Sequence, residues 1–136
     1  MTDVFDPAKR SEIMAKVRTK NTKPEVRLRS YLHRLGFRFR LHRKDLPGKP
    51  DIVLPKYSTV VFVHGCFWHG HDCRKGRLPT TNVEFWETKI SKNQARDAQA
   101  VGKLKKLGWN VWTVWECRLQ EDAEALVAAL NSRQTN

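Results

Sequence analysis

The chain has 136 residues, enough for one compact domain that buries a core without a disulfide framework. Lys and Arg total 26 against 14 Asp and Glu, a formal net charge of +12; that is more than solubility asks for and points to a polyanion, nucleic acid first. No apolar run approaches the ~20 residues of a bilayer span, and the opening MTDVFDPAKR lacks the apolar stretch of a signal peptide, so a cytosolic protein with no membrane partner is expected.

Ser11 can cap a short helix with Ile13, Met14 and Val17 on one face. Thr22-Lys-Pro-Glu25 starts a second, with Thr22 as N-cap, Pro24 in the first turn and Glu25 at the capping-box position. Leu28, Tyr31, Leu32 and Leu35 give that helix a core face, and Gly36 ends it. Phe37 to Leu41 alternates with period two, predicting a half-exposed strand whose outward face is Arg38, Arg40 and His42. After a Pro-Gly turn, Asp51 to Leu54 is a short apolar strand, and Thr59 to His64 is a buried, β-branched one. Thr81 or Asn82 caps a helix through Phe85, Trp86 and Ile90 that continues to Leu107, with Gly108 closing it. Trp109 to Trp115 is the last strand, and Glu121 to Leu130 the last helix. Strands and helices alternating this way predict an α/β fold, a mixed sheet flanked by helices, with the strands at 51–54, 60–64 and 109–115 at its centre. We expect a single domain over 1–136, with an N-terminal arm and helix over 1–20 and a core over 22–131.

The segment from Gly65 to Pro79 has no periodicity but many ligand-type residues. Cys66, His71, Cys73 and the distant Cys117 form a thiolate and imidazole set suited to a closed, structural Zn²⁺. His69 could replace His71, and Cys66 and Cys117 could instead be buried free thiols. Asp51 opens a buried strand, where a carboxylate is costly unless it is paired or binds a metal. Asp51 and a backbone carbonyl near Val63 could supply the protein's share of a Mg²⁺ site, with a histidine beside it moving a proton. The bland rivals are that Asp51 caps a turn, Glu25 only caps its helix, and His64 is a satisfied core residue. Phe67, Trp68 and Trp86 are large rings in irregular or helix-start contexts. They could wedge between base steps or pack beneath the loop, and of Phe85 and Trp86 only one can face inward. Basic residues cluster over 27–44 and 89–106, as phosphate contacts require.

PGKPDIVL, VFVHGCFWHGHDC, EFWETKISKN and LGWNVWTVWEC together resemble the very-short-patch-repair DNA mismatch endonucleases of bacteria, over roughly residues 3 to 118. The resemblance implies a restriction-endonuclease-like core that nicks on the 5′ side of the mismatched thymine of a T·G pair, where 5-methylcytosine has been deaminated, with Mg²⁺ as cofactor. It implies that Asp51 and the Val63 carbonyl hold Mg²⁺, that His69 is the general base or acid, and that His64 and Glu25 support the site. It further implies Zn²⁺ on Cys66, His71, Cys73 and Cys117. Phe67, Trp68 and Trp86 would intercalate, Met14 would contact the other groove, and Lys89 and Asn93 would approach the mismatched pair. The implied partner is double-stranded DNA bearing a T·G mismatch, with mismatch-repair proteins nearby and a monomer acting on the bacterial nucleoid. Position 63 departs from the family, with Val in place of Thr; a carbonyl ligand survives that exchange but a hydroxyl is lost. Two other readings explain parts of this pattern: a zinc-stabilised DNA-binding module and a restriction-type nuclease of the same fold. A ribosome-associated RNA binder is a third.

Overall fold

The computed structural model describes residues 22–134. In chain order these form helix α1 (Lys23–Arg34), strands β1 (Arg40–Leu41), β2 (Ile52–Leu54) and β3 (Thr59–His64), helix α2 (Val83–Lys106), strand β4 (Asn110–Trp115) and helix α3 (Leu119–Gln134). The helix expected around Ser11 to Val17, Met14 included, lies outside the described residues.

α1 begins as its sequence dictates: Thr22 is extended, its hydroxyl accepts from the Glu25 amide at 3.5 Å, and Pro24 occupies the first turn. Gly36 follows the helix at φ +89, a left-handed turn that costs glycine little. The sheet order is β1-β2-β3-β4. β1, β2 and β3 pair antiparallel, β2 and β3 through a tight link over 55–58 and β1 and β2 through the longer loop over 42–51, whereas β3 and β4 run parallel from Thr59↔Asn110 to His64↔Trp115. A parallel pair needs a long crossover, and α2 provides it.

The sheet buries both faces. On one, Ile52, Leu54, Val61 and Val114 meet Leu28 and Leu32 of α1 and Ala123, Leu126 and Leu130 of α3. On the other, Val53, Val60 and Phe62 meet Ala100 and Leu104 of α2. Each fully buried leucine here stabilises the fold by about 2 kcal/mol. The result is the α/β class expected, a mixed sheet between helices.

Three expectations need correction. The strand foreseen over 37–41 pairs only at Arg40 and Leu41, because Phe37 turns into the core and His42 takes a left-handed backbone, φ +49. His42 therefore does not continue an outward face; it is half-buried. β4 pairs on one side only among the described residues, an edge instead of the centre, since the α2 crossover lays it outside β3. α3 starts two residues earlier than its apolar pattern, because a 3₁₀ turn over Glu116–Arg118 feeds straight into it and Asp122 accepts from the Trp115 amide at 2.9 Å.

Candidate active site and metal centres

The carboxyl end of β3 gathers three clusters of ligating side chains. In the first, Asp51 precedes β2 and turns its carboxylate to β3, where Oδ2 accepts from the Val63 amide at 2.7 Å. Glu25, buried in the first turn of α1, and His42 complete it: His42 Nε2 lies 3.4 Å from Glu25 Oε2, and Nδ1 lies 4.0 Å from Asp51 Oδ1. Burial pushes the Asp51 carboxyl up to about 7; the Glu25 charge adds to this, while the Val63 amide and Arg29 oppose it. A buried and a half-buried acid that repel one another are a cation's natural counterpart, and one ligand atom from each of Glu25, His42 and Asp51 lies within 4.8 Å of the others.

The next residue of β3, His64, opens the second cluster. Its ring stacks on His69, centroids 3.7 Å apart and planes 1° from parallel, and the edge of Trp115 abuts it. His69 Nδ1 sits 2.6 Å from Asp97 Oδ2 on α2. Burial pushes His64 down to about 4, with His69 acting in the same sense and Asp97 against, so His64 is neutral at pH 7. A carboxylate on Nδ1 fixes the His69 ring and leaves Nε2 for a proton. Asp97 was not singled out in the sequence. Its one signal is that it is the sole acid between Glu87 and Glu116, inside a basic helix.

In the third cluster, Cys66, His71, Cys73 and Cys117 each offer a ligand atom within 4.8 Å of the others, and Cys117 Sγ is 3.4 Å from His71 Nδ1. A tetrahedral Zn²⁺ with thiolate ligands sets neighbouring donors about 3.8 Å apart, so this soft donor set fits the ion. The chain builds the loop tightly: His71 donates to the Cys66 carbonyl and Glu116 accepts from the Cys66 amide. The His71 ring stacks on Trp115 at 4.1 Å. A Cβ on Gly76 would fall 1.9 Å from the His71 carbonyl oxygen. Of the two histidines that compete for this role, His71 stands with the cysteines and His69 with Asp97.

Phe67, Trp68 and Trp86 meet edge to face, with centroids 5.1, 5.3 and 6.1 Å apart. Of the adjacent pair on α2, Trp86 is buried and Phe85 is 60% exposed. The loop carrying Phe67 and Trp68 is tied to α2: Asn93 donates to the Trp68 carbonyl at 2.9 Å, and Gln94 to the His69 and Gly70 carbonyls at 3.3 Å each. Arg96 donates to the side-chain Oδ1 of Asn93. Both ends of the Asn93 amide are thus engaged within the protein. Lys89 is exposed on α2, along a shallow groove with Asn82, Phe85, Thr88 and Lys92. Among the described residues no helix is long and apolar enough to cross a membrane.

The profile of the family described as DNA mismatch endonuclease Vsr matches residues 2–75. The chain is 53% identical over 132 residues to a type II nicking enzyme, V.XorIIP, of Xanthomonas oryzae, covering 97% of this chain and 96% of that one. It is 53% identical over 123 residues to the type II nicking enzyme V.NmeAIP of Neisseria meningitidis, covering 90% and 88%. It is 44% identical over 133 residues to the DNA mismatch endonuclease Vsr of Escherichia coli, covering 98% and 85%.

Proposed function

The chain belongs to the DNA mismatch endonuclease Vsr family and is a DNA endonuclease, and from that premise we propose that it nicks one strand of duplex DNA on the 5′ side of the mismatched thymine of a T·G pair. The observation that carries this reading is the adjacency on β3 of an acidic cation cluster at Val63 and a carboxylate-oriented histidine pair at His64. The names of the two nicking relatives support a cut in one strand.

In this reading Asp51 and the Val63 carbonyl hold Mg²⁺. When bound, the ion polarises the phosphodiester and offsets charge on the attacking and leaving oxygens. His69 Nε2 takes the proton of the attacking water as its oxygen bonds to phosphorus and the bond to the leaving oxygen breaks. Asp97 holds His69 in the tautomer that leaves Nε2 bare, and His64 fixes the ring plane by stacking. Glu25 keeps water ordered beside Asp51. Zn²⁺ on Cys66, His71, Cys73 and Cys117 is structural, because four protein ligands leave no open position. The Phe67, Trp68 and Trp86 cluster opens to admit and unstack the mismatched step, with Lys89 and Asn93 beside it and Met14 across the duplex.

A strand-nicking assay on T·G and T·A duplexes with varied flanks, with and without Mg²⁺, tests this. We expect a single cut 5′ to the thymine of T·G only, dependent on Mg²⁺. Removal of the base in His69→Ala should lower turnover by about 10²–10⁴-fold. Asp51→Ala that nicks as well as the wild type, or equal cutting of both strands of T·A duplex, would refute it.

A further inference from the structure

The proposed reaction leaves His42 without a role, yet its position is unusual. It is the one nitrogen donor in the Glu25, His42, Asp51 cluster. Its Nε2 is shut off from solvent and forms no hydrogen bond among the described residues; Glu25 Oε2 is 3.4 Å away, outside hydrogen-bond geometry. Its Nδ1 is turned to Asp51 Oδ1 at 4.0 Å. Its backbone is left-handed, φ +49, a conformation uncommon outside glycine that His, Asn and Asp adopt more readily than other residues. The His42 amide donates to the Asp51 carbonyl at 3.3 Å. The turn at this point seats an imidazole between two acids. Ligands about 2.1 Å from one octahedral ion are about 3.0 Å apart when adjacent and about 4.2 Å when opposite, a span that brackets both separations of His42.

We propose that His42 is a direct ligand of the catalytic cation, so that this site binds a first-row transition dication such as Mn²⁺ more tightly than Mg²⁺. Imidazole suits such ions, whereas Mg²⁺ takes oxygen donors and keeps its waters. The inference rests on the reading of Asp51 as the metal-holding carboxylate. Cys66, His71, Cys73 and Cys117 lie in a separate cluster and are not involved.

The test uses the full chain loaded with Zn²⁺, without DNA. Mn²⁺ and Mg²⁺ are titrated by EPR and by competition, and bound Mn²⁺ is examined by pulsed EPR for coupling to ¹⁴N. The variants are Asp51→Asn and His42→Asn, the latter chosen because Asn tolerates the left-handed backbone; His42→Gln backs it up, and melting curves check the fold. We expect the wild type to favour Mn²⁺ by at least about tenfold and to show ¹⁴N coupling. His42→Asn should lose that coupling and about 10–100-fold of its Mn²⁺ affinity, with little change for Mg²⁺. No ¹⁴N coupling in the wild type, coupling that survives in His42→Asn, or unchanged Mn²⁺ affinity in that variant each overturns the proposal. Unchanged Mn²⁺ binding in Asp51→Asn instead overturns the reading on which it rests.

Discussion

The Val63 amide and the Arg29 charge favour an ionised Asp51, but burial and Glu25 outweigh them. Burial and the neighbouring Glu25 oppose its charge, so the carboxyl titrates near 7 in the folded chain against 3.8 for an ordinary Asp. The folded state thus holds a proton that the unfolded state gives up. The stability linked to that proton is full below pH 3.8 and is lost as pH rises through about 7. His64 has the opposite sign. Its folded pKa near 4 gives stability above its ordinary 6.5 that is lost as pH falls through 4. Above pH 6.5 His64 no longer changes the balance, and the Cys73 thiol, drawn down to about 7, is common to the wild type and an Asp51 variant, so comparing the two isolates Asp51. We expect Asp51→Asn, which keeps an oxygen for the Val63 amide, to be more stable than the wild type at pH 8 by about 1–3 kcal/mol without added divalent cation. The gain should shrink toward pH 5 and when Mg²⁺ is added to the wild type. Thermal melts of both proteins from pH 5 to 8.5 measure it; a difference that does not vary with pH would show that Asp51 carries no buried charge.

At the scale of elements, one face of α2 builds the site. Trp86, Ile90, Asn93, Gln94 and Asp97 recur at helical spacing, and these residues meet the aromatic wedge, the 65–70 loop and His69. The apolar members of that stripe, with Ala100 and Leu104 beyond, were legible as a helix face because burial has a period. Gln94 and Asp97 were not, because they read alone as a solvated stretch; Asn93 stood out only through the family resemblance, and the tertiary approach of the loop gives all three their partners. The same holds for His42: alternation from Phe37 assigned it outward, and the left-handed turn that reverses it has no marker residue. Thr59 to His64 and the Thr22 cap were read to the residue, since β-branching and capping are local. The docking makes Gly70 testable. At φ +63, a Cβ there would approach Gln94 Nε2 to 2.4 Å and Ile90 Cγ2 to 2.6 Å. Gly70→Ala should cost about 1–3 kcal/mol and lift the loop, lowering discrimination of T·G from T·A more than Zn²⁺ content. Gly76→Ala should do the reverse, since its Cβ would strike the His71 carbonyl and break the zinc loop. Zinc stoichiometry and the ratio of nicking on the two duplexes separate the two cases. Equal zinc loss in both would mean the loop folds as one unit.

The whole molecule combines a diffuse positive field with one small discriminating feature, and the two should respond differently to salt. Arg27, Arg34, Arg38 and Arg40 near one end of the described chain, and Lys89, Lys92, Arg96 and Lys103 on α2, are exposed. Arg43 is committed to Asp45 through a paired contact, so it contributes less. Phosphate contacts release counterions without regard to sequence, each adding about 0.9 to the slope of log affinity against log salt. A mismatch is sensed instead by how readily its step unstacks against the rings, which releases few ions. The affinity lines for T·G and T·A duplexes should therefore be parallel and offset. Lys89→Ala should lower both slopes by about 1 if Lys89 rests on a phosphate, and should narrow the offset instead if it faces the base pair. Trp68→Ala should narrow the offset and leave the slopes intact. Fluorescence anisotropy from 50 to 300 mM salt, without divalent cation to prevent cutting, reads both quantities. Lines that converge at high salt would place the selectivity in the charge field, and the aromatic cluster would then be core.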